Sequence, residues 1–374
     1  MTHTTARRLR TLALCPVFAV VVACSGPVAA PTTPGSPPSS PPDSASPPSS
    51  PPSAASPTTD DPVIATELAA PWSVVFYRGV ALVSERDSAR IVELGAGHAV
   101  REVGQIPDAI PSGEGGLLGL AVHDSWLYAY YTAADGNRVE RFEVRGDPGG
   151  FSLGPGETVI EGLPSARYHN GGRIAFGPDQ SLYVTVGDAG DRDSAQNPGA
   201  LSGKILRLTP DGGIPADNPF PGSPVYSYGH RNPQGLAWDT AGTMYATEFG
   251  QDTWDELNVI EPGHNYGWPV VEGIADREGF VDPVQQWRPS EASPSGLAFA
   301  DNTLYIANLR GERLREVPLA DLGTSTERFV GELGRLRDVA VTPDGELWVV
   351  TNNTAGRGEP RPGDDRILRI TPAE

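Results

Sequence analysis

Residues 173–184 read RIAFGPDQSLYV, which is a short apolar strand, a tight polar turn and a second strand carrying an aromatic side chain. This strand–turn–strand unit occurs six times, and the copies span residues 72–84, 119–129, 173–184, 235–246, 296–306 and 338–349. Further strands follow several copies, at 90–93, 204–208 and 366–370. Three to four strands per repeat, without helical periodicity, predict an all-β fold, a six-bladed β-propeller. A two-sheet sandwich is the alternative, but it would not need the repetition.

The first 62 residues differ in composition from the rest. Residues 1–24 combine three arginines with an apolar run too short to span a bilayer comfortably, and they end at Cys24. We interpret them as a bacterial lipoprotein signal peptide with Cys24 as the lipidation site; an ordinary cleaved signal is the alternative. Residues 25–62 are mostly Pro, Ser, Thr, Ala and Gly, which predicts a disordered linker. We therefore expect a propeller domain over 63–374 on the outer face of the cell membrane, attached only through the lipid.

The charge of the chain limits its partners. The formal net charge is −19, and both cysteines, Cys15 and Cys24, lie in the predicted signal segment. Such acidity argues against binding to nucleic acid or to anionic lipid surfaces. It also makes any cluster of arginines conspicuous.

The ends of the predicted hairpins should meet on one face of the propeller. In an antiparallel pair, the residue before the first strand and the residue after the second lie at the same edge. These flanking positions are rich in charge, and they include Glu114, His169, Asp188, Arg231, Asn232, Glu248, Gly250, Arg310, Arg335, Arg337 and Asn352. We expect them to surround a central depression.

Two segments on this face carry the strongest chemical signal. Residues 168–173 read YHNGGR and residues 229–235 read GHRNPQG. An imidazole can take a proton from an alcohol, so His169 is the candidate general base, although a lone histidine is more often structural. Arg231, with Arg310, Arg335 and Arg337, could form a fork-like set around a planar polyanion.

A third segment, residues 248–256, reads EFGQDTWDE. Its hard oxygen ligands suit calcium better than zinc. A simple acidic turn remains an equal alternative on composition alone.

Longer motifs, taken together, point to a family. They lie at residues 113–119, 169–178, 183–190, 203–208, 229–235, 255–258, 265–269 and 335–339. Through them, nearly the whole of 63–374 resembles the soluble glucose and sorbosone dehydrogenases that depend on pyrroloquinoline quinone (PQQ). Within that family, the motifs resemble those of the aldose sugar dehydrogenase branch most.

The resemblance implies a role for each matching residue. His169 would take the proton of a sugar C1 hydroxyl while hydride passes to the quinone. Arg231 and Asn232 would contact the quinone oxygens, Glu114 would lie beside the ring, and Arg310, Arg335 and Arg337 would hold the cofactor carboxylates. The carbonyls of Gly250 and Gln251 would bind one Ca²⁺, and a second Ca²⁺ would take Glu256, Tyr266 and Asp276. An external acceptor would then receive the electrons.

Three departures from the family pattern concern the substrate site and the calcium turn. Glucose-specific members carry glutamine where Glu114 stands and lysine where Arg310 stands, and Gln251 replaces a proline. The long insertion that shapes their sugar pocket is missing, since only about residues 281–295 separate two blades here. The resemblance thus implies a shallower, more open substrate site.

The sequence leaves three functional hypotheses. The first is a PQQ- and calcium-dependent oxidoreductase acting on aldoses or related aldehydes. The second is a non-enzymatic extracellular propeller that binds partners on the same face. The third is a calcium-dependent lactone hydrolase, for which neither the 168–173 nor the 229–235 segment would be needed.

Overall fold

A computed structural model describes residues 62–371, which form six four-stranded antiparallel sheets. The predicted signal peptide, Cys24 and nearly all of the predicted linker lie outside the described residues. Blade 1 comprises β2 (Pro71–Tyr77), β3 (Val80–Glu85), β4 (Arg90–Leu94) and β5 (Val100–Gln105). Blade 2 comprises β6 (Leu117–His123), β7 (Trp126–Ala133), β8 (Gly136–Arg145) and β9 (Ser152–Leu163). Blade 3 comprises β10 (Ile174–Phe176), β11 (Leu182–Val186), β12 (Lys204–Leu208) and β13 (Val225–Tyr228).

The other three blades repeat this order. Blade 4 comprises β14 (Pro233–Trp238), β15 (Met244–Glu248), β16 (Asp255–Ile260) and β17 (Gln285–Trp287). Blade 5 comprises β18 (Pro294–Ala300), β19 (Thr303–Asn308), β20 (Arg313–Pro318) and β21 (Thr326–Arg328). Blade 6 comprises β22 (Leu336–Val341), β23 (Leu347–Thr351), β24 (Ile367–Ile370) and, as its outermost strand, β1 (Val63–Ala65). Two short 3₁₀ turns, Ala96–His98 and Asp193–Gln196, are the helical elements of the described chain.

The blades close into a ring. The innermost strand of each blade contacts the innermost strands of its two neighbours, and β2 of blade 1 contacts β22 of blade 6. The ring is fastened by β1, in which Val63 pairs with Leu368 and Ala65 with Ile367. A closed ring leaves each sheet only one exposed edge, which limits edge-to-edge aggregation. The prediction of an all-β, six-bladed propeller is confirmed.

The hydrophobic core is divided among the gaps between blades. Alternate side chains of each strand point to opposite sheet faces, so each blade presents apolar residues to both neighbours. Six buried clusters result within the described chain, one in each gap between adjacent blades. In one of them, Tyr128 and Tyr130 of blade 2 pack against Ile174 and Val184 of blade 3. This packing holds the inner strands rigidly, and with them the loops that begin and end at one face.

A polar contact at the ring axis links distant blades. The Arg173 guanidinium makes a buried ion pair with Asp338 at 3.1 Å, and it stacks 4.4 Å from the centroid of the Trp72 ring. Its Nε donates to the carbonyl of Gln234. These residues come from blades 1, 3, 4 and 6, so the contact joins the inner strands of four blades. Among residues 62–371 there is no helix with the length and hydrophobicity needed to cross a bilayer.

Candidate active site

A polar cavity that is open to solvent lies at one end of the ring axis. Its lining comes from all blades except blade 3, and includes Trp72, Arg86, Gly113, Glu114, Gln234, Phe249, Ser293, Leu309, Arg335, Arg337, Asn352, Ala355 and Arg357. Glu114, Arg335, Arg337 and Asn352 belong to the predicted face, and the structure brings them together here. A smaller cavity adjoins it through Phe249 and is lined by Arg231, Gly250, Glu256 and Tyr266, among others.

His169 lies beside the main cavity, joined to it through Glu114. The backbone N–H of His169 donates to the Glu114 carboxylate at 3.0 Å. The imidazole Nδ1 lies 2.7 Å from Oδ1 of Asp188, whose side chain is almost fully buried. A carboxylate at this distance accepts the Nδ1 proton and leaves the lone pair on Nε2. Nε2 has no partner in the described chain, and the side chain remains 17% exposed, so this nitrogen is available to a ligand.

Asp188 is held as an anion by its surroundings. Burial alone would raise the pKa of Asp188, but hydrogen bonds from His169, from the N–H of Gly190 and from Trp268 Nε1 outweigh it and lower the pKa. Trp268 Nε1 lies 2.9 Å from Asp188 Oδ2. The carboxylate therefore stays charged near neutral pH and fixes the tautomer and orientation of the His169 ring.

The backbone at His169 explains why position 187 is a glycine. His169 adopts a left-handed φ of 58°, and its carbonyl packs directly on Gly187. A Cβ at position 187 would lie 1.9 Å from that carbonyl oxygen, so no other residue fits there without moving the loop. The loop before β10 is thus pressed against the end of β11, which carries Asp188 just beyond it.

Arg231 and Asn232 are tied to the same loops. The N–H of Asp188 donates to the Arg231 carbonyl at 2.7 Å, and the N–H of Gly171 donates to Asn232 Oδ1 at 3.0 Å. Asn232 is fully buried, and its Nδ2 has no hydrogen-bond partner in the described chain. An orphaned buried donor is costly unless a ligand or water satisfies it. Its position therefore fits an acceptor in the site.

Arg231 lines the smaller cavity. Its Nη1 donates to the carbonyls of Phe249 and Gly250, and it lies 5.3 Å from the centroid of the Trp268 ring. Burial lowers the pKa of Arg231, and the nearby carboxylates, Asp188 first, oppose that shift. Its Nε is buried without a partner.

Arg335 and Arg337 form a cationic pair, and neither side chain has an acidic hydrogen-bond partner in the described chain. Arg337 is 7% exposed and donates only to neutral groups, namely Gln234, Ser295 and Asn352. Burial lowers its pKa, and the charges of Arg86 and Arg335 add to the effect. Burial likewise lowers the pKa of Arg335, followed by repulsion from Arg357. The Nε atoms of both are buried without partners in the described chain. Because unpaired buried charge is unfavourable, the pair fits an anionic ligand.

Arg310 lies at the edge of this cluster. Its side chain is exposed, and its charge contributes to lowering the pKa of Arg335. The cavity itself is lined by its neighbour, Leu309. The structure thus places Arg310 near the other arginines but on the outer rim.

The predicted calcium residues are only partly gathered. Gly250 and Gln251 form a tight turn in which Gly250 N–H donates to Asp255 and Gln251 N–H donates to Glu272, each at 2.8 Å. A Cβ at position 250 would lie 1.7 Å from the Trp254 carbonyl, so the turn requires glycine. The Gly250 carbonyl accepts a hydrogen bond from Arg231.

Glu256 is buried beside a second carboxylate, Glu248. Asn258 Nδ2 donates to both, at 3.1 and 3.2 Å. Burial raises the pKa of Glu248 to about 7, and burial together with the Glu248 charge raises that of Glu256. Two acidic groups held together in this way fit a bound cation, which would stabilise both as anions.

Tyr266 and Asp276 are placed differently. The Tyr266 hydroxyl donates to the Val259 carbonyl at 2.7 Å and accepts from the Glu261 N–H. Tyr266 lines the small cavity, and with the hydroxyl already bonded its backbone carbonyl is left as a possible ligand. Asp276 is exposed, and its N–H donates to Asp282. Within residues 62–371 no three His, Cys, Asp or Glu side chains form a ready metal cluster.

Several residues of the site were not predicted, among them Trp72, Gln234, Trp268 and Arg357. Gln234 and Trp268 lie inside motifs 229–235 and 265–269, so the motifs contained a signal for them. Trp72 lies in the first copy of the repeat, in an inner strand, and Arg357 lies in a loop without a pattern.

Comparison with known proteins agrees with this geometry. The family described as Glucose / Sorbosone dehydrogenase matches residues 68–368. Over 361 residues the chain is 30% identical to aldose sugar dehydrogenase YliI of Escherichia coli, covering 83% of this chain and 92% of that protein. Over 239 residues it is 33% identical to quinoprotein glucose dehydrogenase B of Acinetobacter calcoaceticus, covering 53% and 50%. The PQQ-bound form of aldose sugar dehydrogenase from Streptomyces coelicolor matches with a TM-score of 0.79 at 50% identity, covering 82% of this chain and 95% of that one. The chain therefore belongs to the glucose/sorbosone dehydrogenase family.

Proposed function

We propose that this protein is a PQQ- and Ca²⁺-dependent oxidoreductase that oxidises the C1 hydroxyl of aldoses or related sugars. The observation that carries the proposal is the pairing of His169 with Asp188 beside buried guanidiniums that lack anionic partners. A base and an anion site are the two parts that such an oxidation requires from the protein. The names of the relatives, a quinoprotein glucose dehydrogenase and a PQQ-bound aldose sugar dehydrogenase, support the same reading.

The cationic cavity fits the quinone by charge and donor pattern. PQQ is flat and carries three carboxylates, whereas Arg335 and Arg337 offer charged donors without acidic partners. Arg310 extends this set at the rim, and Asn232 and Arg231 add orphaned donors. Charge-assisted hydrogen bonds to carboxylates are among the strong ones. When bound, the quinone supplies the two-electron oxidant that accepts hydride from the sugar C1 carbon.

Within this site the residues of the chain handle the proton. The unpartnered Nε2 of His169 would accept the proton of the C1 hydroxyl, and Asp188 would stabilise the imidazolium that forms. Arg231, next to the Gly250 turn, would stabilise negative charge developing on an acceptor oxygen.

Calcium would occupy two places by this proposal. The carbonyls of Gly250 and Gln251 would hold one ion, for which Arg231 would have to release its hydrogen bond to Gly250. The buried Glu256, with the Tyr266 carbonyl and Asp276, would hold the other, and the raised pKa of Glu256 supports a cation there. For Asp276 to take part, its exposed loop would have to move inward. The ion at the Gly250 and Gln251 carbonyls would supply Lewis-acid polarisation of the reacting carbonyl.

The cellular setting belongs to the same proposal. We infer a lipoprotein anchored through Cys24 on the outer face of the cell membrane, passing electrons to an external acceptor. Labelling of the full-length protein with a radioactive fatty acid, with C24S as control, tests the anchor. Equal labelling of both proteins, or of neither, would contradict it.

Reconstitution tests the catalytic proposal. The purified domain is titrated with PQQ in the presence and absence of Ca²⁺, and dye reduction is followed with a panel of aldoses. We expect calcium-dependent quinone binding and turnover of at least one aldose. Quinone binding without turnover of any sugar favours the binding-module alternative, and absence of quinone binding contradicts the proposal altogether.

A further inference from the structure

The segment between β23 and β24 crosses the rim of the cavity with a charged tip. Its base is fixed by the buried Asp365, which accepts hydrogen bonds from the N–H groups of Asn353 and Thr354. Gly358 packs so closely on Asn353 that a Cβ there would lie 2.7 Å from its backbone and 3.0 Å from the Arg335 side chain. The segment is thus held against Arg335, and it carries Arg357 over the cavity opening.

Arg357 bridges blade 6 to the loop before blade 2. Its Nη2 lies 2.9 Å from Glu114 Oε1, and both side chains line the cavity. The other carboxylate oxygen of Glu114 accepts the N–H of His169. One carboxylate therefore connects the Arg357 guanidinium to the backbone of the candidate base.

The ion pair between Arg357 and Glu114 contributes little to the stability of the fold. The Arg357 side chain is 68% exposed, and exposed ion pairs contribute about 0–1 kcal/mol. Stability therefore gives little reason for the pair.

Charge gives a stronger reason. Among the charged side chains lining the cavity, Glu114 is the one acid, and the others are Arg86, Arg335, Arg337 and Arg357. Arg86 is already paired with Asp87 at 2.6 Å. An uncompensated Glu114 would repel an anionic ligand close to the place where Arg335 and Arg337 attract it.

We propose that Arg357 is a specificity residue of the anion site: it neutralises Glu114 and offers its remaining donors to an acidic ligand. This inference rests on the proposed function, in which the ligand is PQQ. By this inference, residues 352–366 take part in binding the ligand. Glu114 can then stand beside an anionic ligand only because Arg357 neutralises its charge.

A double-mutant cycle tests the coupling. R357Q, E114Q and the double variant are compared with wild-type protein by titrating PQQ in the presence of Ca²⁺ and following the quinone absorbance. Glutamine at 114 keeps an oxygen that can accept the His169 N–H, and Arg357 is exposed, so both variants should fold. R361Q is the matched control, because Arg361 lies in the same segment, donates to the Glu332 and Gly331 carbonyls and does not line the cavity.

We expect R357Q to raise the Kd for PQQ by about 10-fold, since it leaves one unneutralised carboxylate near a trianion. E114Q should bind at least as tightly as wild type, and adding E114Q to R357Q should restore most of the lost affinity. R361Q should match wild type.

Two outcomes contradict the inference differently. If wild-type protein binds PQQ and R357Q binds it equally well, or if the two substitutions are simply additive, Arg357 has no such role while the proposed function stands. If wild-type protein does not bind PQQ, the proposed function and this inference fall together.

Discussion

Two loops of the propeller each precede an innermost strand and each contain a histidine. The two histidines differ in burial and in hydrogen-bond partners. The loop before β10 contains His169, and the loop before β14 contains His230, each within a few residues of an innermost strand. The His169 ring is partly exposed beside the cavity and bound to Asp188. The His230 ring is fully buried, with Nε2 2.8 Å from Ser227 Oγ and its plane stacked on Tyr266 at 4.8 Å.

The electrostatic surroundings of the two rings also differ. Burial, followed by the charge of Lys204, lowers the pKa of His230 to about 3, so it is neutral throughout the range where an enzyme works. Its Nδ1 lies 3.4 Å from Glu248, whereas His169 has a charged carboxylate at 2.7 Å. His230 thus has both nitrogens occupied, while His169 keeps Nε2 available.

The comparison shows that position in the repeat does not decide which residue reaches the site. In the loop before β14, the next residue, Arg231, extends toward the cavities, and His230 turns inward to support it. Glu248 connects the two, since it also accepts the Arg231 N–H at 2.9 Å. One loop therefore leaves its histidine partly exposed beside the cavity, and the other buries its histidine behind an arginine.

The largest expected effect is on turnover in H169Q. If His169 is the base, as proposed, its removal should lower kcat by about 10²- to 10⁴-fold, because general-base catalysis contributes that much. The free energy of unfolding should change by only about 1 kcal/mol, since glutamine can still donate to Asp188. Dye-coupled turnover of the loaded enzyme and urea unfolding measure the two quantities.

A control distinguishes an effect on the catalytic step from an effect on PQQ binding. PQQ affinity of H169Q is measured in the same preparation, and it should stay within about threefold of wild type, a difference of under 1 kcal/mol. An H169Q enzyme that turns over at the wild-type rate while fully loaded would remove His169 from the mechanism.

The sequence predicted the fold because the signal for it is local and repeated. Each of the six predicted hairpins is present, as in the pairing of Ile174 with Val184 and Phe176 with Leu182. The alternation of strand and turn in each copy depends only on neighbouring residues. The pairing of β1 with β24 was not predicted, because β1 is three residues long and its partner lies about three hundred residues away.

The site residues that flank the hairpin strands could be predicted from the sequence. Those that depend on long loops or on side-chain direction could not. Glu114, His169, Arg335 and Arg337 were placed together because flanks of antiparallel pairs share an edge. The contact between Arg357 and Glu114 could not be foreseen, because it depends on the path of a long loop. The opposite environments of His169 and His230 were also beyond the sequence, since side-chain direction depends on partners such as Asp188 and Tyr266.

A second prediction tests the structural side of the comparison. H230A should lower the free energy of unfolding by about 3 kcal/mol, because it leaves a cavity under Tyr266 and an unpaired Ser227 hydroxyl. H230F, which keeps the stack but not the hydrogen bonds, should lose less. Urea unfolding of the three proteins measures this, and equal stability of H230A and wild type would contradict a supporting role.

The third prediction concerns the partner of the base. D188N should lower kcat by about 10- to 100-fold, because an amide holds the His169 ring less firmly and does not stabilise its positive charge. PQQ affinity should change little, since Asp188 does not line the main cavity. A larger effect on the Kd for PQQ than on kcat would show that Asp188 shapes the anion site instead.

The smallest expected effect is the response of stability to acid. In the folded protein the pKa of Asp188 lies below its ordinary value of 3.8. Burial raises this pKa, but hydrogen bonds, the one from His169 first, lower it by more. The unfolded chain therefore binds this proton at higher pH than the folded one, and the carboxylate stabilises the fold above pH 3.8. That contribution is lost as the pH falls through the lower, folded-state value. Urea unfolding of wild type and D188N at a series of acidic pH values should show the gap between them narrowing over this range, whereas a constant gap would mean that Asp188 is not held as an anion by its neighbours.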